Sequence, residues 1–511
     1  MSKQKTAVFY KKELWACLLV FCLAVVLYGL TAQRCYSWQD SGMFQWRILH
    51  GDIAGHYGLA LSHPLYIILA GWFERLPFGN SAYRLNLFSG IGMAVALANT
   101  VLLVRCLTRN VWPGMAAALL FSVMHAPWWF AGIAEVYTWH LAFFSLELLF
   151  FINLVRSPGP IKSFLLFLTA GLNLSIHNMA LLALPVYAGT VFYLFVHRRL
   201  RWPAVFGTVL FYGLGASVYL YCFFNLLTQG DGLLSTISSA LFGRYTGQVL
   251  NTAFSGEYFA VNAGLISLNF LSLVVPLFVA GLIYIKREAG TQVAVLLGMI
   301  ALLEFGFVIR FPVPDQFSFM LPSLLMIVLA AGVGINALYR KFKGLRPILI
   351  AGLLASVLGP PVCYGLGPFL AEKAGIEIAR SRERPFRNEI RYWSVPWKHN
   401  ECSAERFALA ALEQAAPDGV IISDDTALYP LLLVREQHNA FSDVDVRWLA
   451  TLIDYRSSLA EYEDLLVSEK VYTVLPPPVF FPKNLWKLVR FSRLEGDVLY
   501  RVAWKESPGD L

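Results

Sequence analysis

The chain has 511 residues, of which 57% are hydrophobic, 15% aromatic and only 14% charged, with a formal net charge of +8. Soluble domains carry roughly 25% charged residues. This composition therefore excludes an ordinary soluble enzyme and predicts a polytopic membrane protein built from runs of about 20 apolar residues. In such a chain an excess of positive charge reports topology rather than nucleic-acid binding.

Lysines precede the first apolar run, "LWACLLVFCLAVVLYGL". It reads as an uncleaved first span, being too long for a signal peptide, without a small-residue cleavage site, and followed by further spans. Candidate spans cover 14–30, 85–104, 113–130, 136–155, 162–176, 179–196, 203–224, 264–285, 293–309, 317–338 and 347–367, so the fold class is mainly α, a helix bundle of about 11 spans. Between the first two lies the long segment 31–84. Its stretch "SHPLYIILAGWFERLPFG" at 62–79 has helical period and is expected to lie along the membrane surface. The segment 225–263, containing "GRYTGQ", is polar with little periodicity and is expected to be a mobile lid. From about 397 the pattern changes. "GVIISDD", "VDVRW" and "KVYTVLPP" read as strands and "TALYPLLLVREQ" as a helix, while "WKLVRFSRLEGDVLYRVAWK" reads as a hairpin turning near Glu495-Gly496. The predicted organisation is a membrane domain over 1–368, a linker over 369–396 and a small soluble α/β domain over 397–511.

Lys and Arg in the short loops fix the direction of the spans. Lys3, Lys5, Lys11 and Lys12 place the N-terminus inside. Alternation then also puts inside Arg105 and Arg109, Arg156 and Lys162, Arg198, Arg199 and Arg201, Lys286 and Arg287, and Arg340, Lys341, Lys343 and Arg346. The loops near 131–135 and 177–178 carry no Lys or Arg. An odd number of spans puts the C-terminal part outside. With that topology Asp40, His63, Glu135, His177, Asn178, Arg310 and Asp315 gather on the external face, and ionisable groups at membrane depth mark functional cavities. The seven cysteines show no CxxC and no metal spacing, so neither a disulfide framework nor a zinc site is expected. No phosphate-binding glycine loop and no internal repeat is present.

Five segments carry a family resemblance: "QDSG" at 39–42, "SHPLYIILAGWFERLPFGNSAYRLNLFSG" at 62–90, "AEVYTWHLAF" at 134–143, "GLNLSIHN" at 171–178 and "VPDQFSFMLPS" at 313–323. Together they resemble a family of GT-C-type membrane glycosyltransferases that includes an animal transmembrane protein O-mannosyltransferase. The chain departs from the family pattern at Met43, where a Glu is usual, at "HPLY", which lacks the second Pro and the Gly, and at Asn178, where a second His is usual. The resemblance implies an inverting transferase. It would move mannose or another hexose from a polyprenyl-phosphate carrier to a hydroxyl of protein (Ser/Thr), lipid or glycan on the outer face; compact loops and no retention signal favour a bacterial plasma (inner) membrane. The implied partners are that donor, the acceptor and the bilayer, with no nucleic acid.

Such chemistry needs a base for the acceptor hydroxyl and donors or cations for the departing phosphate. Asp40, expected to be partly buried, is assigned the base role; an ordinary turn aspartate is the plain alternative. His63, His177, Asn178, Arg84, Glu135, Arg310 and Asp315 are assigned to donor binding. Their plain alternatives are interhelical bonds for the histidines, an interfacial anchor for Arg84, a helix-start anion for Glu135 and a local Arg310–Asp315 pair. "HAPWWF" at 125–130 reads as an aromatic belt, and Asp424 and Asp425 as a strand-end turn. No cofactor is required, although three carboxylates on one face keep a divalent cation as an alternative. The rival classes are a transporter or flippase of a lipid-linked sugar and an assembly protein. A transporter is expected to show midplane charges and repeats, and an assembly protein leaves the polar rim unexplained.

Overall fold

Every stretch read as a span is a helix or a bent pair of helices in the computed structural model. It describes residues 11–505 apart from 231, 252–255, 314, 377–383, 450–460, 475–488, 495 and 497. In chain order come α1 (Lys11–Thr31), α2 (Gln39–His50), α3 (Pro64–Glu74), α4 (Ser81–Thr108), α5 (Trp112–Ser122) and α6 (His125–Ala131). Next are α7 (Tyr137–Arg156), α8 (Pro160–Leu174), α9 (Ala180–Val196), α10 (Trp202–Gly215) and α11 (Ser217–Thr228). The shorter α12 (Leu233–Phe242), α13 (Thr246–Val249) and α14 (Gly256–Ser267) lead to α15 (Val274–Ala289), α16 (Thr291–Arg310), α17 (Leu321–Lys341) and α18 (Arg346–Lys373). Among the described residues six helices are long and apolar enough to cross a membrane, or up to nine if each bent pair is one span. α8 and α9 are shorter apolar helices.

The bends have local causes. α5 and α6 meet at 71°. Met124 leaves the helical region, with ψ at 148°, and Pro127 sits in the first turn of α6, where its missing N–H costs nothing. The bend turns "HAPWWF" inward, against the expectation of an outward aromatic belt. Trp128 and Trp129 are buried, their ring centroids 5.4 Å from Trp397 and 5.8 Å from Trp393. Close helix approach rests on small residues, as is usual where lipid supplies no hydrophobic drive. A Cβ on Gly171 of α8 would collide with the Tyr212 carbonyl of α10, and one on Gly215 with the Leu168 carbonyl.

Chain contacts divide the protein into two compact units. One gathers residues 1–32, 51–380 and 393–399; the other gathers 33–50, 381–392 and 400–511. The second holds a five-stranded sheet of order β2-β1-β3-β5-β4, with β1 (Val420–Ser423), β2 (Asp445–Trp448), β3 (Val471–Thr473), β4 (Val489–Arg493) and β5 (Tyr500–Trp504). β1 is parallel to β2 and β3, and the β4–β5 hairpin closes the other edge antiparallel. β1 is buried along its length, as its unbroken apolar run requires of a central parallel strand. Asp424 then caps the helix Asp425–Gln437 by accepting the Ala427 N–H at 3.1 Å, so this pair is turn chemistry, as read from sequence. In the predicted hairpin turn, Gly496 has a φ of +90°, whereas Glu495 lies outside the described residues.

The segment 33–50 belongs to this second unit through a bond that spacing did not foretell. Cys35 and Cys402, 367 positions apart, form a disulfide with Cα atoms 5.2 Å apart, which corrects the expectation of unpaired cysteines. Around it the Trp38 indole N–H donates to Ser403 Oγ at 2.8 Å, and the Tyr36 N–H donates to Glu405 at 3.2 Å. Alkylation without reductant should leave Cys35 and Cys402 unlabelled. Cys35→Ser should cost the second unit about 3 kcal/mol, read as a lower melting temperature and as proteolytic cutting within 33–50.

Candidate active site

The site begins where α8 runs out. The last carbonyls of a helix lack intrahelical partners, and here other parts of the chain claim them. The Asn173 carbonyl accepts the N–H groups of Ile176 (2.9 Å) and His177 (2.7 Å), which turns the chain tightly. The Ser175 carbonyl accepts the Leu65 N–H at 3.0 Å, and the Ile176 carbonyl accepts Nδ1–H of His63 at 2.8 Å. His63 itself stands in the left-handed region (φ 49°, ψ 45°) as the residue before α3, with Pro64 opening the helix. The result is a stacked pair: the His63 and His177 rings lie 5.0 Å apart at 26°.

The backbone gives the two rings opposite tautomers. The His63 Nδ1 faces a carbonyl, so it carries the proton and Nε2 is the accepting nitrogen. His177 Nδ1 accepts the Met179 N–H at 3.1 Å, so in the neutral ring Nε2 carries the proton. Burial, and after it the neighbouring His63 and His140, hold the His177 pKa well below the ordinary histidine value. His177 is therefore a neutral hydrogen-bond donor at physiological pH.

Aromatic rings extend the site. Tyr137, at the start of α7, lies 5.4 Å from His177 and 5.2 Å from Phe130. Phe319 packs edge-on against both Tyr137 and His177. Asp315 joins through the Tyr137 hydroxyl and Ser318. Burial raises its pKa, and these hydrogen bonds offset part of the rise. Farther along the same wall Lys398, 2% exposed, places Nζ 5.0 Å from the Trp129 ring centre and anchors its N–H on the Thr31 carbonyl at 2.8 Å. Sequence reasoning missed this buried cation, because it lies in the stretch expected to be extramembrane. "SVPWKHN" shows only a tryptophan-proline cluster there.

The other predicted residues divide by their partners. Glu135 is buried, its backbone exchanging hydrogen bonds with Ser89 Oγ (2.9 and 3.0 Å). Asn178 donates from Nδ2 to the Ala240 carbonyl at 2.6 Å, an oxygen that the Tyr219 hydroxyl also reaches. Thus α12, in the segment expected to be a mobile lid, is fastened beside His177. It is fastened to the stretch before His63 as well, where the Leu59 N–H donates to Ser239 Oγ at 3.0 Å and Arg244 stacks 3.7 Å over the Tyr57 ring. Arg84 pairs with Glu74 at 2.6 Å and donates to the Phe78 and Gly79 carbonyls, clipping the α3–α4 connection. Arg310 donates to the Asn251 carbonyl at 2.5 Å, and among the described residues no ion pair joins it to Asp315.

Asp40 lies in the second unit, in the first turn of α2. It is exposed, not partly buried as expected. The motif around it has a steric reason. Gln39 has a φ of 56°, and a Cβ on Gly42 would run into the Ser37 carbonyl and press on Pro430 at 3.4 Å. Among the described residues no group of three or more His, Cys, Asp or Glu is placed to hold a metal ion.

A helical bundle of this order, followed by a small α/β unit, is a GT-C-type fold. Within it residues 53–201 match the family model of the protein O-mannosyl-transferase TMEM260 N-terminal domain, so the resemblance read from the motifs holds. The structure is similar to that of ArnT from Cupriavidus metallidurans bound to undecaprenyl phosphate, with a TM-score of 0.57 at 13% identity, covering 96% of this chain and 99% of that one. ArnT in the apo state gives a TM-score of 0.55 at 14% identity, covering 97% and 100%. At these identities the likeness is one of fold. No curated protein matches the chain in sequence.

Replacing Asn178 with Leu should free α12 from the His177 turn. Hydrogen exchange across 233–245 should then speed up at least tenfold while exchange in α4 and α7 stays unchanged.

Proposed function

We propose that the protein transfers a sugar from a polyprenyl-phosphate carrier to an acceptor hydroxyl, with inversion at the anomeric carbon. The observation that carries this reading is the His63–His177 stack, built by the very segment that matches the O-mannosyl-transferase family model. The fold shared with a structure bound to undecaprenyl phosphate supports the carrier class. In the reaction the bond from the anomeric carbon to the phosphate oxygen breaks, and a bond to the acceptor oxygen forms on the opposite face. The hydroxyl proton passes to a base and polyprenyl phosphate departs. Asp40 is assigned the base for that proton. His177 Nε2–H donates to the phosphate, and Lys398 and Arg310 are the cations assigned to its growing charge. Glu135, Asp315 and Asn178 bound the sugar's place, while Arg84 holds the α3–α4 connection.

The reaction is assigned to the external face of a bacterial inner membrane. The Lys/Arg loops support that direction, and the Cys35–Cys402 disulfide suits an oxidising compartment. Mannose or a related hexose is the assigned sugar, and Ser/Thr of exported protein the first acceptor to test.

Purified protein incubated with a panel of labelled polyprenyl-phosphate sugars should release polyprenyl phosphate from at least one. Asp40→Asn should lower that turnover by about 100-fold or more with an unchanged melting temperature. Turnover retained in that variant removes the base assignment, and inertness toward every donor removes the reading itself.

A further inference from the structure

We infer that Glu147, Asn173 and His140, none of which the reaction above uses, form a buried positioning relay for the two histidines. The inference rests on that reading for its activity readout. All three side chains are at most 1% exposed, and Glu147 lies mid-way along α7, where an ionisable group is costly. Asn173 Nδ2–H donates to Glu147 Oε1 at 2.6 Å, and its Oδ1 accepts Nδ1–H of His140 at 2.9 Å.

The order of these bonds matters. With the Asn173 amide as it stands, its NH2 is spent on Glu147 Oε1 and its Oδ1 is left to accept from His140, so carboxyl and amide together set the His140 tautomer. The His140 ring then packs 5.5 Å from the His177 ring. The same Asn173 holds the His177 N–H on its backbone carbonyl, and the Ile176 carbonyl one turn on orients His63. One asparagine thus carries both histidines, and Glu147 carries the asparagine. The Tyr187 hydroxyl and the Glu304 carboxyl, from α9 and α16, neighbour Glu147, so the relay is tied to helices remote in sequence.

The test uses the full-length chain in detergent, with the polyprenyl-phosphate sugar that the panel identifies. It reads kcat, KM and the 15N signals of labelled histidines. Small misplacements of reacting groups cost up to about 100-fold. Glu147→Leu should therefore lower kcat about 10- to 100-fold with donor KM within about threefold, and should mix the His140 tautomers. Glu147→Gln keeps an accepting oxygen and should restore both readouts. His140→Phe keeps the ring volume without the donor and should lower kcat as Glu147→Leu does. That variant decides the matter should Glu147→Leu fail to fold. Wild-type kcat with unchanged imidazole signals in the folded variants overturns the relay. If the wild-type chain itself turns over no donor, the proposed function fails, while the 15N signals still judge the relay.

Discussion

Inside a bilayer a carbonyl that leaves a helix finds no water, so it must find protein. The end of α8 is where this protein meets that constraint, and the meeting shapes the candidate site. Three carbonyls of the 173–176 turn, those of Asn173, Ser175 and Ile176, are taken by groups that have something else to position: the His177 backbone, the Leu65 N–H that starts α3, and the His63 ring. Two loops more than 100 residues apart are thereby held in one geometry. The stacking of the imidazoles follows from backbone hydrogen bonding and requires no attraction between the rings.

The same constraint explains which features were legible in the sequence. Spans announce themselves by length and hydropathy, and strands such as Val420–Ser423 by short apolar runs, so the bundle and the α/β unit were readable. The histidines were readable as candidates because polar residues at helix ends are conspicuous in such a chain. What could not be read was pairing at a distance. Nothing local in "TAQRCYSW" indicates that Cys35 meets Cys402, and so nothing indicates that 33–50 joins the tail. Nor does hydropathy separate a straight span from α5 and α6, whose 71° bend carries two tryptophans into the interior. Glu147 and Asn173 were passed over because a single polar residue inside an apolar run lowers the hydropathy without revealing its partner.

Exposure separates the two kinds of polar residue found here. His63, His177, Glu135 and Lys398 are buried, with the histidines and the lysine anchored by backbone or ring contacts, whereas Asp40 is exposed in a turn whose glycine admits no side chain. Groups that must hold a charged leaving group gain from fixed placement in a low dielectric, where each hydrogen bond is stronger. A base that must meet a variable acceptor gains from access instead. The different burial of these residues agrees with the roles proposed for them.

The departures from the family motifs fit the same physics. Where a second histidine is usual, Asn178 uses its amide to grip the Ala240 carbonyl, a bond an imidazole of different reach would not make in the same way. Because Ser239 of α12 and Arg244 just after it also hold the stretch before His63, the segment bridges both histidine loops. The histidine loops are thus held twice, by the turn after α8 and by α12. Release of α12 alone would leave the histidine tautomers set, since those are fixed by backbone groups outside α12.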